Sequence, residues 1–415
     1  MTLWVIAVLL PGAVPAQDEE DEPADLFEWA RRLEELDLSW RWGEFAFEVS
    51  GELDLEAYVF GDESPGATAE DPAVRSGDYR RSSRSDSPEF GGRLRLFLDA
   101  SWGEALEGSV ELRADGTTAA DGEAGARFEQ YWLRVRALSG DAPVRVQAGK
   151  FAAPVGNFIP RSSARRNPLV TWPLPYDALT ALASLEDTVP VVLARRDVPD
   201  RKDWFVPIWR EVYGTGVEGA LEWGDWNVRA ALLNSAPATL PEDWDRKAGD
   251  PGFYNVYGRI VWTAHVTTRL GASASRGAYA KRDGRDAEEE PQTLLGVDAE
   301  FALGHLEIFA EAYWTRFEAP RLPDLELWTA YVEAKYTFLP GLFGAVRLAQ
   351  IRFDEIRDPS GGRAHWDRGV RRLELGGGYF FTPNFFVKTT LQLNDHQGGP
   401  EPDDNLLALQ VGLTF

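Results

Sequence analysis

From Phe45 to Phe415 apolar and polar residues change places at period two, in windows of about ten to thirteen residues, the length a tilted strand needs to cross a hydrocarbon layer. A two-residue period gives each strand one oily face and one polar face. In the last window Leu407, Leu409, Val411, Leu413 and Phe415 share a face, and Ala408, Gln410, Gly412 and Thr414 hold the other. In the first, Phe45, Phe47, Val49, Leu53, Leu55 and Val59 alternate with Glu48, Glu52, Asp54 and Glu56. Strands of a soluble sandwich average about five or six residues, roughly half of what these windows supply. The pattern predicts an all-β chain, a transmembrane antiparallel β-barrel with lipid outside and water within.

Composition fits this reading and excludes others. Hydrophobic residues make up 44% of the chain while the mean hydropathy is only -0.32, which rules out a bundle of membrane helices. The 16 Trp, 22 Phe and 12 Tyr suit girdles at the two membrane surfaces. Trp102, Trp223, Trp226, Trp262, Phe338, Phe343, Phe381, Phe385 and Phe415 are expected near one end, Tyr58, Tyr279, Trp314 and Trp328 near the other. With no cysteine there is no disulfide framework and no thiolate chemistry. A formal charge of -24 disfavours nucleic acid as a partner.

The N-terminus reads as an export signal over residues 1–16, with an apolar run from Leu3 to Leu10 and a small-residue cleavage site at Val14, Pro15 and Ala16. Residues 17–44 follow as an acidic periplasmic segment, in which Leu26, Trp29, Ala30, Leu33 and Leu36 recur at helical spacing. The barrel itself is expected over 45–415. Its windows are joined alternately by tight links, such as 102–104, 224–225, 304–305 and 382–384, and by long ones, such as 61–89, 115–125, 236–254 and 354–368. About sixteen strands result, an even number that returns the C-terminus to the side where the barrel began. Eighteen is the alternative, if 189–194 pairs with 204–209.

The third long connection, 151–212, departs from the regular spacing. It carries Pro154, Pro160, Pro168, Pro173, Pro175, Pro190, Pro199 and Pro207, too many for a central strand. Phe158, Ile159, Leu169, Val170, Trp172 and Leu174 would be poorly solvated on an outer loop, so the segment is expected to fold inward and narrow the lumen. It contains Arg161, Arg165 and Arg166 without an acidic residue before Asp177, and Lys150 stands just ahead of it. Neighbouring lumen faces add Arg93, Arg95, Arg113, Arg134, Arg136 and Arg145. Glu48, Glu52, Asp54, Glu56, Asp298, Glu300, Glu307 and Glu311 are expected to form an acidic wall across the barrel, giving a transverse field with a cationic strip for anions. The competing reading is that these arginines pair with lumen carboxylates and stiffen the wall.

The run GKFAAPVGNFIPRSSARRNPLVTWPLPYD, Gly149 to Asp177, resembles the segment after an early strand in the phosphate-selective porin O and P family, through Gly149, Lys150, Phe151, Pro154 and Gly156. The C-terminal LLALQVGLTF is similar to the terminal strand by which barrel proteins are recognised for assembly. That resemblance implies a sixteen-stranded trimeric channel with an inward third loop and an arginine-lined lumen. The expected partners are outer-membrane lipid and lipopolysaccharide, and the expected solutes are small and hydrophilic, phosphate-like oxyanions among them. Catalysis is not expected, because His265, His305, His365 and His396 fall on strand ends, turns or loops without a nucleophile beside them. No cofactor or metal site is expected; acidic loop clusters such as 283–290 lack a cation-binding spacing. The alternative is a structural barrel, its lumen plugged and its N-terminal segment holding a periplasmic partner.

Overall fold

The computed structural model describes residue 32 and residues 37–60, 89–117, 125–137, 143–196, 204–241, 244, 254–281, 289–398 and 405–415. The expected export signal and, apart from Arg32, the expected amphipathic segment lie outside the described residues. Nineteen strands run in chain order as β1 Ser39–Trp42, β2 Phe45–Phe60, β3 Glu89–Trp102, β4 Leu106–Thr117, β5 Gly125–Ala137, β6 Val144–Ala152, β7 Tyr213–Trp223, β8 Trp226–Leu233, β9 Asn255–His265, β10 Thr268–Lys281, β11 Glu289–Leu303, β12 Leu306–Phe317, β13 Leu325–Leu339, β14 Leu342–Phe353, β15 Glu355–Arg357, β16 Arg363–His365, β17 Val370–Thr382, β18 Phe385–His396 and β19 Leu406–Thr414. Sixteen of them, β2 to β14 and β17 to β19, pair antiparallel with their neighbours, and β19 returns to β2. The register from Leu406↔Phe60 to Thr414↔Glu52 closes the barrel and leaves no free edge between first strand and last.

Burial runs opposite to that of a soluble protein. Leu55, Val217, Val297, Val332, Leu348 and Leu407 point outward and are about half exposed, whereas Asp54, Glu111, Glu333, Arg347 and Glu374 point inward and are fully enclosed. An apolar belt around a charged interior is stable only where hydrocarbon covers the belt. Short turns gather at one end of the barrel. Gly103, Gly224 and Gly304 sit there at φ of +56°, +55° and +57°, the left-handed geometry a tight hairpin requires.

Three details differ from the sequence reading. β1, placed by the sequence in the N-terminal segment, pairs with the start of β2 from Ser39↔Glu48 to Trp42↔Phe45. It covers the part of the β2 edge that β19 does not reach, since the β19 ladder stops at Glu52 and Phe415 bonds Gly51. Eighteen strands are excluded, because Val189–Arg195 forms a short helix with Pro190 in its first turn, where the missing N–H costs nothing. Tyr58, Tyr279 and Phe343 face inward and are buried, so they do not belong to the girdles; Trp102, Trp223, Trp226, Trp262, Phe338, Phe381 and Trp328 are exposed on the outside, as a headgroup band needs.

Candidate functional site

The segment between β6 and β7 turns into the barrel and is held on four sides. At its entry Gly156 has φ of +61°, and a Cβ there would collide with the Tyr313 hydroxyl and the Glu311 carboxylate. That close approach lets the backbone N–H groups of Asn157 and Phe158 donate to Glu311 of β12, the latter over 2.8 Å, and the Tyr176 hydroxyl donates to the same carboxylate over 2.7 Å. A second anchor centres on Arg347 of β14. It pairs with Glu333 and Glu374 and donates to the Thr171 carbonyl and the Asn167 side chain, both over 3.0 Å. Beside it Lys388 of β18 donates to the carbonyls of Ala164, Asn167 and Leu169 over 2.7, 2.8 and 3.3 Å. A third joins Asp177 to Arg210 within the segment and to Arg372 of β17.

The fourth anchor is Glu211, where the segment leaves for β7. It is buried, has φ of +59°, and is the sole residue other than glycine with a positive φ among the described residues. Its carboxylate reaches Arg113 over 2.7 Å and Arg95 over 3.8 Å. Burial alone would raise its pKa, but Arg113, Arg95 and Arg93 outweigh this and hold the carboxyl at about 2. It belongs to a network in which Arg93 meets Asp54, Glu56 and Asp115, and Arg113 meets Asp115 and Glu129.

The residues singled out from sequence therefore divide into three groups. Arg161 is enclosed, bonded to Glu333 and Tyr331 and stacked 4.0 Å from the Phe309 ring centroid. Burial disfavours its charge, yet Tyr331 and Glu333 more than restore it and its pKa is raised. Arg93, Arg95 and buried Lys150 are likewise part of the wall, and Arg134, Arg136 and Arg145 pair with Glu107 or Glu222 near the short turns. Arg165 and Arg166 are the exposed ones, at the tip of the segment, and Arg165 forms no ion pair with a described residue.

The acidic wall needs correction. Glu52 and Asp54 lie directly beside Arg95 and Arg93 in the β2 to β3 register, so they neutralise the arginines as cross-strand partners and do not face them across the lumen. Glu56 pairs with Arg93, and Glu48 is exposed at the short-turn rim. On the far side Asp298 pairs with Arg259, Glu300 with Arg269 and Glu307 with Lys335, while Glu311 holds the loop backbone. Glu211, Glu333, Arg347, Glu374 and Lys388 were missed. The last four stand at the inward phase of their strands and could have been found from that phase; Glu211 carries no such signal.

These anchors partition the interior. Toward the long loops a dry cluster joins Phe158, Trp172, Tyr176, Leu182, Val192 and Ile208 of the segment to Tyr279, Phe317, Leu327 and Ile351 of the wall and to Trp366 of the connection before β17. Toward the short turns two adjoining cavities of about 1080 and 1110 Å³ remain, and Arg165, Arg166, Arg269 and Glu300 border both.

No protein-family model matches the chain, and no curated protein matches it either. Solved structures do. Salmonella typhi OmpF in complex with daunomycin aligns over 91% of this chain and 100% of its own at 10% identity, with a TM-score of 0.56. The anion-selective porin from Comamonas acidovorans aligns over 89% and 99% at 12% identity, with 0.55. The outer membrane channel DcaP of Acinetobacter baumannii aligns over 92% and 100% at 12% identity, also with 0.55. The fold is that of the outer-membrane porins. At such identities the likeness concerns the path of the chain and leaves the lumen chemistry to be argued from this chain's own residues.

Proposed function

We propose that this protein is an outer-membrane porin, with its short turns in the periplasm, through which small hydrophilic solutes diffuse with a preference for anions. One observation carries the preference. The exposed arginines at the loop tip, Arg165 and Arg166, border both lumen cavities, whereas most of the acidic groups nearby are already engaged by other cations. Guanidinium suits the role because it stays charged and offers several fixed donors to an oxyanion. The anion-selective porin among the structural neighbours supports the same reading. Phosphate-like oxyanions and a homotrimer extend it, as the resemblance of Gly149 to Asp177 implies, and contact with lipopolysaccharide goes with an outer-membrane setting. In planar bilayers the reversal potential under a KCl gradient should indicate anion preference, and Arg165→Ala with Arg166→Ala should move it toward neutrality. Cation preference in the unaltered protein, or no shift in the double variant, would refute the anion clause.

The dry cluster favours a second reading, a barrel whose lumen is closed by its own loop. Absence of conductance in a correctly folded protein would select it.

A further inference from the structure

The inward face of a hydrated barrel is normally polar, and along one stretch this one is not. Phe309 of β12, Phe343 of β14, Phe380 of β17 and Phe386 of β18 all take the inward phase of their strands toward the short-turn end, and none belongs to the dry cluster above them. Phe380 is backed by Phe343 and Phe386, with ring centroids 5.9 and 5.1 Å away. Glycines make the room. A Cβ on Gly412 would strike the Phe386 ring and one on Gly378 would lie 2.8 Å from the Phe343 ring, so the rings lie against the wall. Half-buried Phe309 and Phe380 then line the 1110 Å³ cavity.

Among the described residues the same cavity is bordered by Arg161, Arg165, Arg166, Arg269 and Lys335, against Glu300 and Glu307. Glu333 neutralises Arg161, Glu307 neutralises Lys335, and Glu300 partly offsets Arg269. Arg165 and Arg166 supply the remaining positive field. A small hydrated oxyanion gains from these guanidinium groups but nothing from the rings. An anion with a flat apolar body gains from both.

We propose that this cavity is a subsite for aromatic monoanions of the aryl-carboxylate class, the carboxylate directed to Arg165 and Arg166 and the ring packed on Phe309 and Phe380. The proposal rests on the porin reading only in that the solute arrives through the lumen. Its test uses the full-length protein in detergent, titrated calorimetrically with benzoate, acetate and phosphate, and the same anions as blockers of any bilayer current. Benzoate should bind about tenfold more tightly than acetate. Phe309→Leu with Phe380→Leu should bring benzoate to the level of acetate, and Arg165→Ala with Arg166→Ala should weaken both. Acetate or phosphate binding as well as benzoate would overturn the subsite, with or without folded variants, and so would ring variants that leave the ratio unchanged. Benzoate preference without conductance upholds the subsite and removes the channel; conductance without benzoate preference does the reverse.

Discussion

Glu211 has one of the most constrained positions in the lumen. A non-glycine residue at φ of +59° carries a backbone cost of about 1 to 3 kcal/mol, and the pairing with Arg113 and Arg95 is what holds it there. Without the Glu211 charge Arg113 keeps Asp115 and Glu129 and Arg95 keeps Glu52 and Glu111, so the loss is that of the charge-assisted bonding to Glu211, about 1.5 to 3 kcal/mol. Glu211→Gln should therefore loosen the return limb of the loop, seen as faster proteolysis near residues 204–212 and a lower unfolding temperature. Because the folded pKa of about 2 lies below that of a free glutamate, the stabilisation is present above the unfolded pKa and lost as pH falls toward 2. Unaltered protein should keep the limb protected down to about pH 4, whereas the variant should lack this acid-dependent step. Equal protease sensitivity of the two proteins at neutral pH would contradict the anchoring role.

Among the elements, the loop between β6 and β7 owes its course to a few positions where backbone and wall approach closely. Gly156 combines a left-handed backbone with contact to Tyr313, Glu311 and Tyr176, so Gly156→Ala meets both strain and collision. The variant should lose the Glu311 anchor while keeping the barrel, giving a folded protein on heat-modifiable gel migration with a loop opened to protease. Intact loop protection in Gly156→Ala would refute that assignment. Proline density and apolar content in 151–212 foretold an inward segment, and the strand phases foretold a charged interior. Which lumen residues would meet which part of the segment was not legible, because Arg347, Glu374 and Lys388 contact residues about 180 to 220 positions away in the chain.

At the scale of the whole molecule, the outward residues are held by hydrocarbon rather than by one another. Val332 lies mid-strand in β13 and is 52% exposed on the outside. Val332→Arg should lower the folding free energy into bilayers by about 2 to 4 kcal/mol, measured by denaturant titration of gel mobility. A neutral outcome would mean that this face does not meet lipid. Sequence by itself determined the barrel, the choice between sixteen strands and eighteen, the turn and loop alternation and the inward course of the third long connection, because each follows from period two, from turn residues or from the local cost of exposing apolar groups; the helix at Val189–Arg195 decided for sixteen. Only the tertiary structure decided that most of the arginines expected to line a cationic strip are neutralised in the wall, that Arg165 and Arg166 stay exposed, and that phenylalanines line the cavity beside them. Register is the reason: whether a guanidinium meets a solute or a carboxylate depends on which strand lies next to it and on how the loop crosses the lumen, and residues distant in the chain set both.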